Sequence, residues 1–378
     1  MADFSRALAG PYATMFLADL GAAVIKVERP RVGDESREWG PPWSNGVSTY
    51  YQSINRNKTA VVCDLSSPEG RADALDLCLR SDIVVENFLA DSLVRIGIGA
   101  DELMRRKPGL IHCSISGFGR GAGKDLPGYD FLLQAVGGLM SVTGEPGGEP
   151  LRVGVAIVDV LTGLHALVGI LAALRHRDAT GRGQHIEVNL LSSLLSGLVN
   201  QTSGFLNAGA VPRAMGNAHP SLAPYEVVQA RDRPLALAVG NDVQFKLFCD
   251  EIGLPGMTAD ARFSSNAARV ENRDALLAAI HTRLAAADAA EWVARLTKRG
   301  VPCGLVNRVD EAIALAAALG LQPAVDMADA EGRVWRQVRN PISFSDEFVT
   351  YELPPAPLPE LVSLHEMLAH MAGEKSEA

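Results

Sequence analysis

No two of the five cysteines, Cys63, Cys78, Cys113, Cys249 and Cys303, form a C-x-x-C pair. That scatter excludes a zinc ribbon or a disulfide framework and reads as reduced thiols filling the core of a cytosolic protein. The eight histidines lack H-x-x-x-H or H-E-x-x-H spacing, His365 and His370 being five apart, so no metal site is expected. A G-x-S-x-G elbow is also missing, which removes one hydrolase reading. Positive charge is in deficit, 35 Lys and Arg against 44 Asp and Glu, for a formal charge of −9. General nucleic-acid binding needs the opposite balance, so any anionic ligand must be held by local basic residues. The first ten residues, MADFSRALAG, contain no apolar h-region and predict no signal peptide.

What the chain does have is one long run of uncharged sequence. From Val153 to Leu174, bracketed by Arg152 and Arg175, Asp159 is the only formally charged residue. The run's 22 residues could span a bilayer. However, it contains Gly154, Gly163, Gly169 and His165, no second span follows, and no Lys/Arg cluster flanks one side. A buried helix in a soluble core fits better. An uncompensated carboxylate there costs free energy. On the residues alone two readings stand: a structural cap satisfied by backbone, or a reactive acid.

The length of 378 residues suggests two domains. Short apolar runs at Ala22–Glu28, Thr59–Leu65, Asp82–Phe88, Leu110–Ser116 and His185–Asn189 alternate with helical stretches. One of these stretches starts at Ser66-Ser67-Pro68-Glu69, with a cap, a proline and an early acid. The alternation predicts βαβ units and a parallel sheet with helices on both faces. Gly204–Tyr225 reads as a linker or loop, and Leu235–Val239 as a strand before helices at Gln244–Ile252, Arg273–Ala286 and Ala289–Arg299. Gly300–Val306 reads as a return strand, and Pro354–Glu360 as a Pro-rich crossing before a last helix. The domain reading is therefore 1–200 for the first part of the large domain, 201–225 for a linker, 226–305 for a small domain, and 306–378 for the segment completing the large one.

Gly117-Phe118-Gly119-Arg120-Gly121-Ala122 follows a strand and formally matches G-x-G-x-x-A. Asp125, Pro127 and Gly128 stand where the required helix should open, and no acid follows about twenty residues on, so a flexible loop is the better reading. Lys124 fails the phosphate-loop pattern, since Asp125 replaces Ser/Thr.

Several ordered segments do agree with one another: AGPYATMFLADLGAAVIKVERP, NRNKTAVVCDLSSPEGR, VVENF, ISGFG, the run around Asp159, GNAHPSLAPY and GVPCGLVN. Over nearly its whole length the chain resembles the class III CoA-transferases, the formyl-CoA transferase and carnitine CoA-transferase family. The resemblance implies an α/β fold, with a Rossmann-like parallel sheet in a large domain, a smaller α/β domain, and an interlocked homodimer. It implies CoA transfer between an acyl-CoA, such as succinyl-CoA, and a carboxylic acid. Coenzyme A and acyl-CoA would be substrates, with no permanently bound cofactor. Asp159 would be the nucleophile, and a helix N-terminus there would keep it ionised. Contacts to CoA carry over to Ala7, Leu8, Arg29, Asn87, Phe88 and Arg95, and acyl contacts to Tyr129 and Asp130. Arg6 is a further basic group at the same loop, and His219 either contacts an acceptor carboxylate or caps its loop.

Two alternatives remain. The related α-methylacyl-CoA racemases carry His where this chain has Tyr129, and racemisation needs a base on each side of the α-carbon. Tyr, with an ordinary pKa of roughly 10, suits that task poorly. The other alternative is a catalytically silent CoA-binding protein. The chain also departs from the resemblance at its start, where only Met1-Ala2-Asp3-Phe4 precede the Arg6 loop. A truncation of roughly one strand, five or six residues, is expected on that basis, along with a disturbed sheet edge.

Overall fold

The computed structural model describes residues 1–346, 348–358 and 361–374. Its shortest central strand, β1 (Ala2–Asp3), pairs parallel with Ile25–Lys26 on one side and Val84–Val85 on the other. There follow α1 (Ala9–Asp19), β2 (Val24–Glu28), β3 (Lys58–Val62), α2 (Pro68–Arg80), β4 (Ile83–Glu86), α3 (Ala100–Arg106), β5 (Ile111–Ser116), α4 (Asp130–Val136), α5 (Ile157–Thr180) and β6 (His185–Asn189). The strands lie in the order β3-β2-β1-β4-β5-β6 and every neighbouring pair is parallel. This is the doubly wound order, which opens a crevice at the carboxyl ends of β1 and β4, where the strand order reverses. Ala2–Asp3, within the residues before the Arg6 loop, form this strand, and it lies at the centre of the sheet rather than at an edge.

Alternation along the strands serves the two faces. Ile83 and Val85 point with Ile111, Cys113 and Ile115 into a core closed by α1 and α5, through Phe16, Val158 and Ile170. Val84 points the other way, into a core with Val61, Leu77 and Leu103. Each large aliphatic side chain buried this way contributes roughly 1.5–3 kcal/mol. The α2 start follows the sequence signal: Ser67 Oγ accepts the Gly70 N–H at 2.9 Å and Pro68 occupies the first turn.

The chain divides into two compact units. The first comprises Met1–Leu139, Arg152–Val211 and the described part of Gln322–Ala378. It also holds α6 (Leu190–Gly197) and α7 (Asn200–Ala208). The second comprises Met140–Leu151 and Pro212–Leu321. It contains β7 (Tyr225–Gln229), β8 (Pro234–Ala238), α8 (Asp242–Glu251), α9 (Arg273–Leu284), α10 (Ala289–Lys298), β9 (Cys303–Leu305) and α11 (Val309–Ala318). Its sheet is antiparallel, in the order β9-β8-β7.

The sequence-based boundaries at 225/226 and 305/306 differ from this division. The expected linker starts inside α7 and ends on the first residue of β7. The expected return strand, β9, pairs with β8 in the small sheet. Met140–Leu151 joins the second unit through a Gly216 N–H to Gly144 C=O bond of 2.8 Å, and Glu311 of α11 ties to Arg233 at 3.3 Å. Strand β7 was missed because Glu226 points inward among the apolar positions, where Arg273 pairs with it at 2.7 Å.

After the second unit the chain returns to the first as the hairpin β10 (Ala324–Ala328) and β11 (Val334–Val338), and the last helix among the described residues is α12 (Leu364–Glu374). The returning segment is fastened by Asn57 N–H to Leu353 C=O at 2.7 Å and Val62 N–H to Val362 C=O at 3.0 Å. Of the Pro354–Glu360 crossing, Pro359 and Glu360 lie outside the described residues.

Candidate functional site

The uncharged run becomes α5, and Asp159 falls in its first turn. Ala156 at the N-cap offers no side-chain acceptor, so the cap comes from elsewhere in the chain. Asp130, on the first turn of α4, accepts the Val158 N–H at 2.8 Å and the Asp159 N–H at 3.4 Å through Oδ1. Its Oδ2 accepts from Gln134 Nε2 at 2.6 Å. Gln134 in turn takes the Val153 N–H at 2.8 Å, which binds the strand-like approach to α5. One turn further along α5, Gly163 lets α1 come close: a Cβ there would meet the Ala9 carbonyl oxygen at 2.6 Å. The start of α1 therefore stands beside the turn that carries Asp159.

A cavity of about 280 Å³ opens at the carboxyl ends of β1, β4 and β5. Arg6, Ala7, Leu8, Asn87, Phe88, Tyr129 and Asp159 all line it. The structure thus brings together seven of the residues singled out from the sequence. A second cavity, of about 600 Å³, is lined by Arg29, Arg31, Ser66, and also by Arg6 and Phe88, which border both. Such volumes suit small-molecule recognition. Asn87 holds the loop after β1 by its backbone, accepting the Arg6 N–H at 2.8 Å and donating to the Arg6 C=O at 2.7 Å. The Arg6 guanidinium lies over the Phe88 ring at 4.9 Å, and its Nε is buried without a hydrogen-bond partner. Arg6 and Arg29 both approach Glu35 Oε2, at 3.5 and 3.3 Å.

The electrostatics of Asp159 depart from expectation. Its position at a helix N-terminus favours the anion, but burial, and then the Asp130 charge, push its carboxyl up to about 7. Desolvation and a like charge outweigh the helix terminus. The same two acids also act on a phenol. Burial, and then the charges of Asp159, Asp130 and Asp34, push Tyr50 well above its ordinary value.

Two of the residues singled out stand apart. Arg95 is exposed on the short helix Ser92–Arg95, where it donates to Ser92 Oγ at 3.0 Å, and it borders neither cavity. His219 lies in the second unit, where its Nδ1 accepts the Ser221 N–H at 3.0 Å and its ring packs on Tyr225. Sequence reading missed Glu35, Tyr50 and Lys124, of which Glu35 and Lys124 line the smaller cavity. Lys124 was set aside with the glycine loop, yet that loop forms a wall: Gly117 and Gly128 pack so closely that a Cβ on Gly117 would meet Gly128 Cα at 2.6 Å. The pair of glycines was the available signal.

Fold and cavity define a doubly wound α/β protein with an acid at the sheet's ligand-binding crevice. A sequence model described as CoA-transferase family III matches residues 1–360. The succinate–glutarate CoA-transferase of Agrobacterium fabrum is 40% identical over 367 residues, 95% of this chain and 91% of that one. The succinyl-CoA:glutarate CoA-transferase of Mus musculus is 39% identical over 310 residues, 82% and 71% of the two chains. Among solved structures, a CAIB/BAIF family protein from Brucella suis superimposes with a TM-score of 0.85 at 37% identity, covering 98% of this chain and 97% of that one. The chain belongs to CoA-transferase family III, and it is a CoA-transferase.

Proposed function

We propose that Asp159 is the covalent nucleophile of a transferase that moves CoA from succinyl-CoA to a small dicarboxylic acid such as glutarate. The observation that carries this is Asp159 on the wall of the cavity shared with Arg6, Asn87 and Phe88. The ionised carboxylate attacks the thioester carbonyl, and the C–S bond breaks to release CoA thiolate and leave an aspartyl–acyl anhydride. The thiolate then attacks the aspartyl carbonyl, giving an aspartyl-CoA thioester and the free donor acid. An acceptor carboxylate attacks that thioester, forming a second anhydride and releasing the thiolate. Attack of the thiolate on the acceptor carbonyl yields the new acyl-CoA and restores Asp159. Covalent catalysis divides one difficult exchange into four additions at carbonyl carbon. Partial burial supports the scheme, because water in the cavity would hydrolyse the anhydride.

The Ala7–Leu8 loop, Asn87 and Phe88 are assigned to the pantetheine arm, and Arg6, Arg29 and Arg95 to the phosphate groups, where planar guanidinium pairs well with phosphate. Arg6, with its unpartnered Nε, is the best-supported of the three. Tyr129 is assigned to the acyl group, Asp130 to holding the α5 start, and His219, whose Nδ1 accepts the Ser221 N–H, to capping its own loop. The dicarboxylate reading follows the substrates named for the relatives from A. fabrum and M. musculus.

A homodimer is part of the proposal. Val168, Val199, Leu206 and Val211 in the first unit are 63–79% exposed, apolar side chains that a second copy of the chain would cover. The interlocked form of that dimer rests on the family resemblance. Free thiols at all five cysteines support a cytoplasmic setting.

The test is a mass-spectrometric screen of succinyl-CoA against carboxylic acids, run in D₂O. Formation of glutaryl-CoA and succinate without deuterium at the α-carbon supports transfer. Deuterium uptake without exchange establishes a racemase instead, and CoA binding without either reaction establishes a silent binder.

A further inference from the structure

Between β1 and α1 the chain turns through Ala7 at φ 63°, a left-handed conformation that costs free energy for any residue with a Cβ. Something must hold the turn. Asn87 clamps the Arg6 peptide from one side. From the other side comes Asp34, whose Oδ1 accepts the Ala7 N–H at 3.2 Å together with the Ser36 N–H at 2.9 Å and its hydroxyl at 2.7 Å. The second oxygen of Asp34 accepts from Lys26 Nζ at 2.8 Å, and the same ammonium donates to the Ser5 C=O at 2.9 Å. Both side chains of the pair are fully buried.

A buried ion pair generally gives little net stability over apolar residues of the same size, so its presence below a strained turn asks for another reason. What it does supply is direction. The lysine reaches the residue before Arg6 and the aspartate the residue after it, so the two bracket the turn along its length.

We propose that Asp34 is a positioning residue for CoA binding: the oxygen it turns toward Ala7, with its buried charge balanced by Lys26, fixes the Arg6–Ala7–Leu8 turn as a preformed wall of the cavity that holds Asp159. The proposal rests on the assignment of that turn to the pantetheine arm, made above. A pre-set wall saves the ligand the work of ordering the loop on arrival, so its loss appears in affinity before it appears in turnover.

Two double variants separate positioning from support of the fold. Lys26→Met/Asp34→Leu removes both charges together, which a buried pair tolerates, and also removes the oxygen facing Ala7. Lys26→Met/Asp34→Asn is equally neutral but keeps an acceptor toward Ala7. Free CoA is titrated into each folded protein by calorimetry, and kcat and KM are measured with the CoA thioester donor. The Leu double should bind CoA about tenfold or more weakly, with a matching rise in KM and a smaller change in kcat, while the Asn double stays within about threefold of wild type. Equal CoA affinity in the two folded doubles, whether both strong or both weak, overturns the inference. Failure of the wild-type protein itself to bind CoA overturns the functional reading instead, so the two failures are told apart.

Discussion

Asp130 and Asp159 share one helix start: Asp130 Oδ1 accepts the amide of Val158 at 2.8 Å and that of Asp159 at 3.4 Å, while its charge helps to raise the Asp159 carboxyl to about 7. One acid thus holds the other in place and also resists its ionisation. Burial is the larger cause and Asp130 the smaller. Because attack requires the anion, kcat/KM should fall as pH drops through about 7. Asp130→Asn keeps an oxygen for the helix amides and removes the like charge. Its acid limb should move to lower pH, so that activity at pH 6 rises relative to pH 8. An unmoved limb in the pH–rate profile counts against the coupling.

A carboxyl raised on folding has a stability cost of definite sign. Between the unfolded value, 3.8, and the folded value, about 7, the folded chain binds more protons. Stability therefore declines as pH rises through that window, and the loss is complete above it. Asp159→Asn removes the penalty and should stabilise the protein at pH 8 by on the order of 4 kcal/mol, with little gain near pH 4. Denaturant melts of both proteins at the two pH values check this; an equal difference at both contradicts it.

Gly163 has no room for a side chain. A Cβ would sit 2.6 Å from the Ala9 carbonyl oxygen and 3.2 Å from the Tyr12 ring, so Gly163→Ala must push α1 away from α5. About 1–3 kcal/mol of stability should be lost, together with about tenfold or more in kcat, because the start of α1 and Asp159 face one another across this contact. Thermal unfolding and steady-state rates report the two effects.

Asp19 is fully buried and takes four donors: Arg56 Nε and Nη2 at 2.9 and 2.6 Å, Asn57 Nδ2 at 2.8 Å, and Asn340 Nδ2 at 3.0 Å. The last of these comes from the returning segment, so the acid ties both ends of the first unit. Asp19→Ala leaves the guanidinium uncompensated and should cost about 3–5 kcal/mol. Denaturant unfolding measures it, and a loss below about 1 kcal/mol speaks against the assignment.

The parallel sheet was legible because its strands are short runs rich in apolar residues, continuous in Ile83–Val85 and alternate in Ile111, Cys113 and Ile115, and because Ser67-Pro68 marks a helix start in a few residues. The acid was legible because Asp159 is alone in a long uncharged run. What escaped depends on contacts between distant positions. The cap on α5 comes from Asp130, 29 residues before Asp159, and no local pattern announces it. Strand β7 was hidden by an inward Glu226 that only its pairing with Arg273 explains. The ionisation of Asp159 was misjudged for a similar reason, since the helix start is a local feature while burial and the Asp130 charge are tertiary.

Trapping with hydroxylamine during turnover tests the central claim most directly. In the presence of succinyl-CoA, peptide mapping by mass spectrometry should find a hydroxamate on Asp159 alone, and Asp159→Ala should bind CoA without exchanging it. An unmodified Asp159, or full exchange by the alanine variant, would contradict the account.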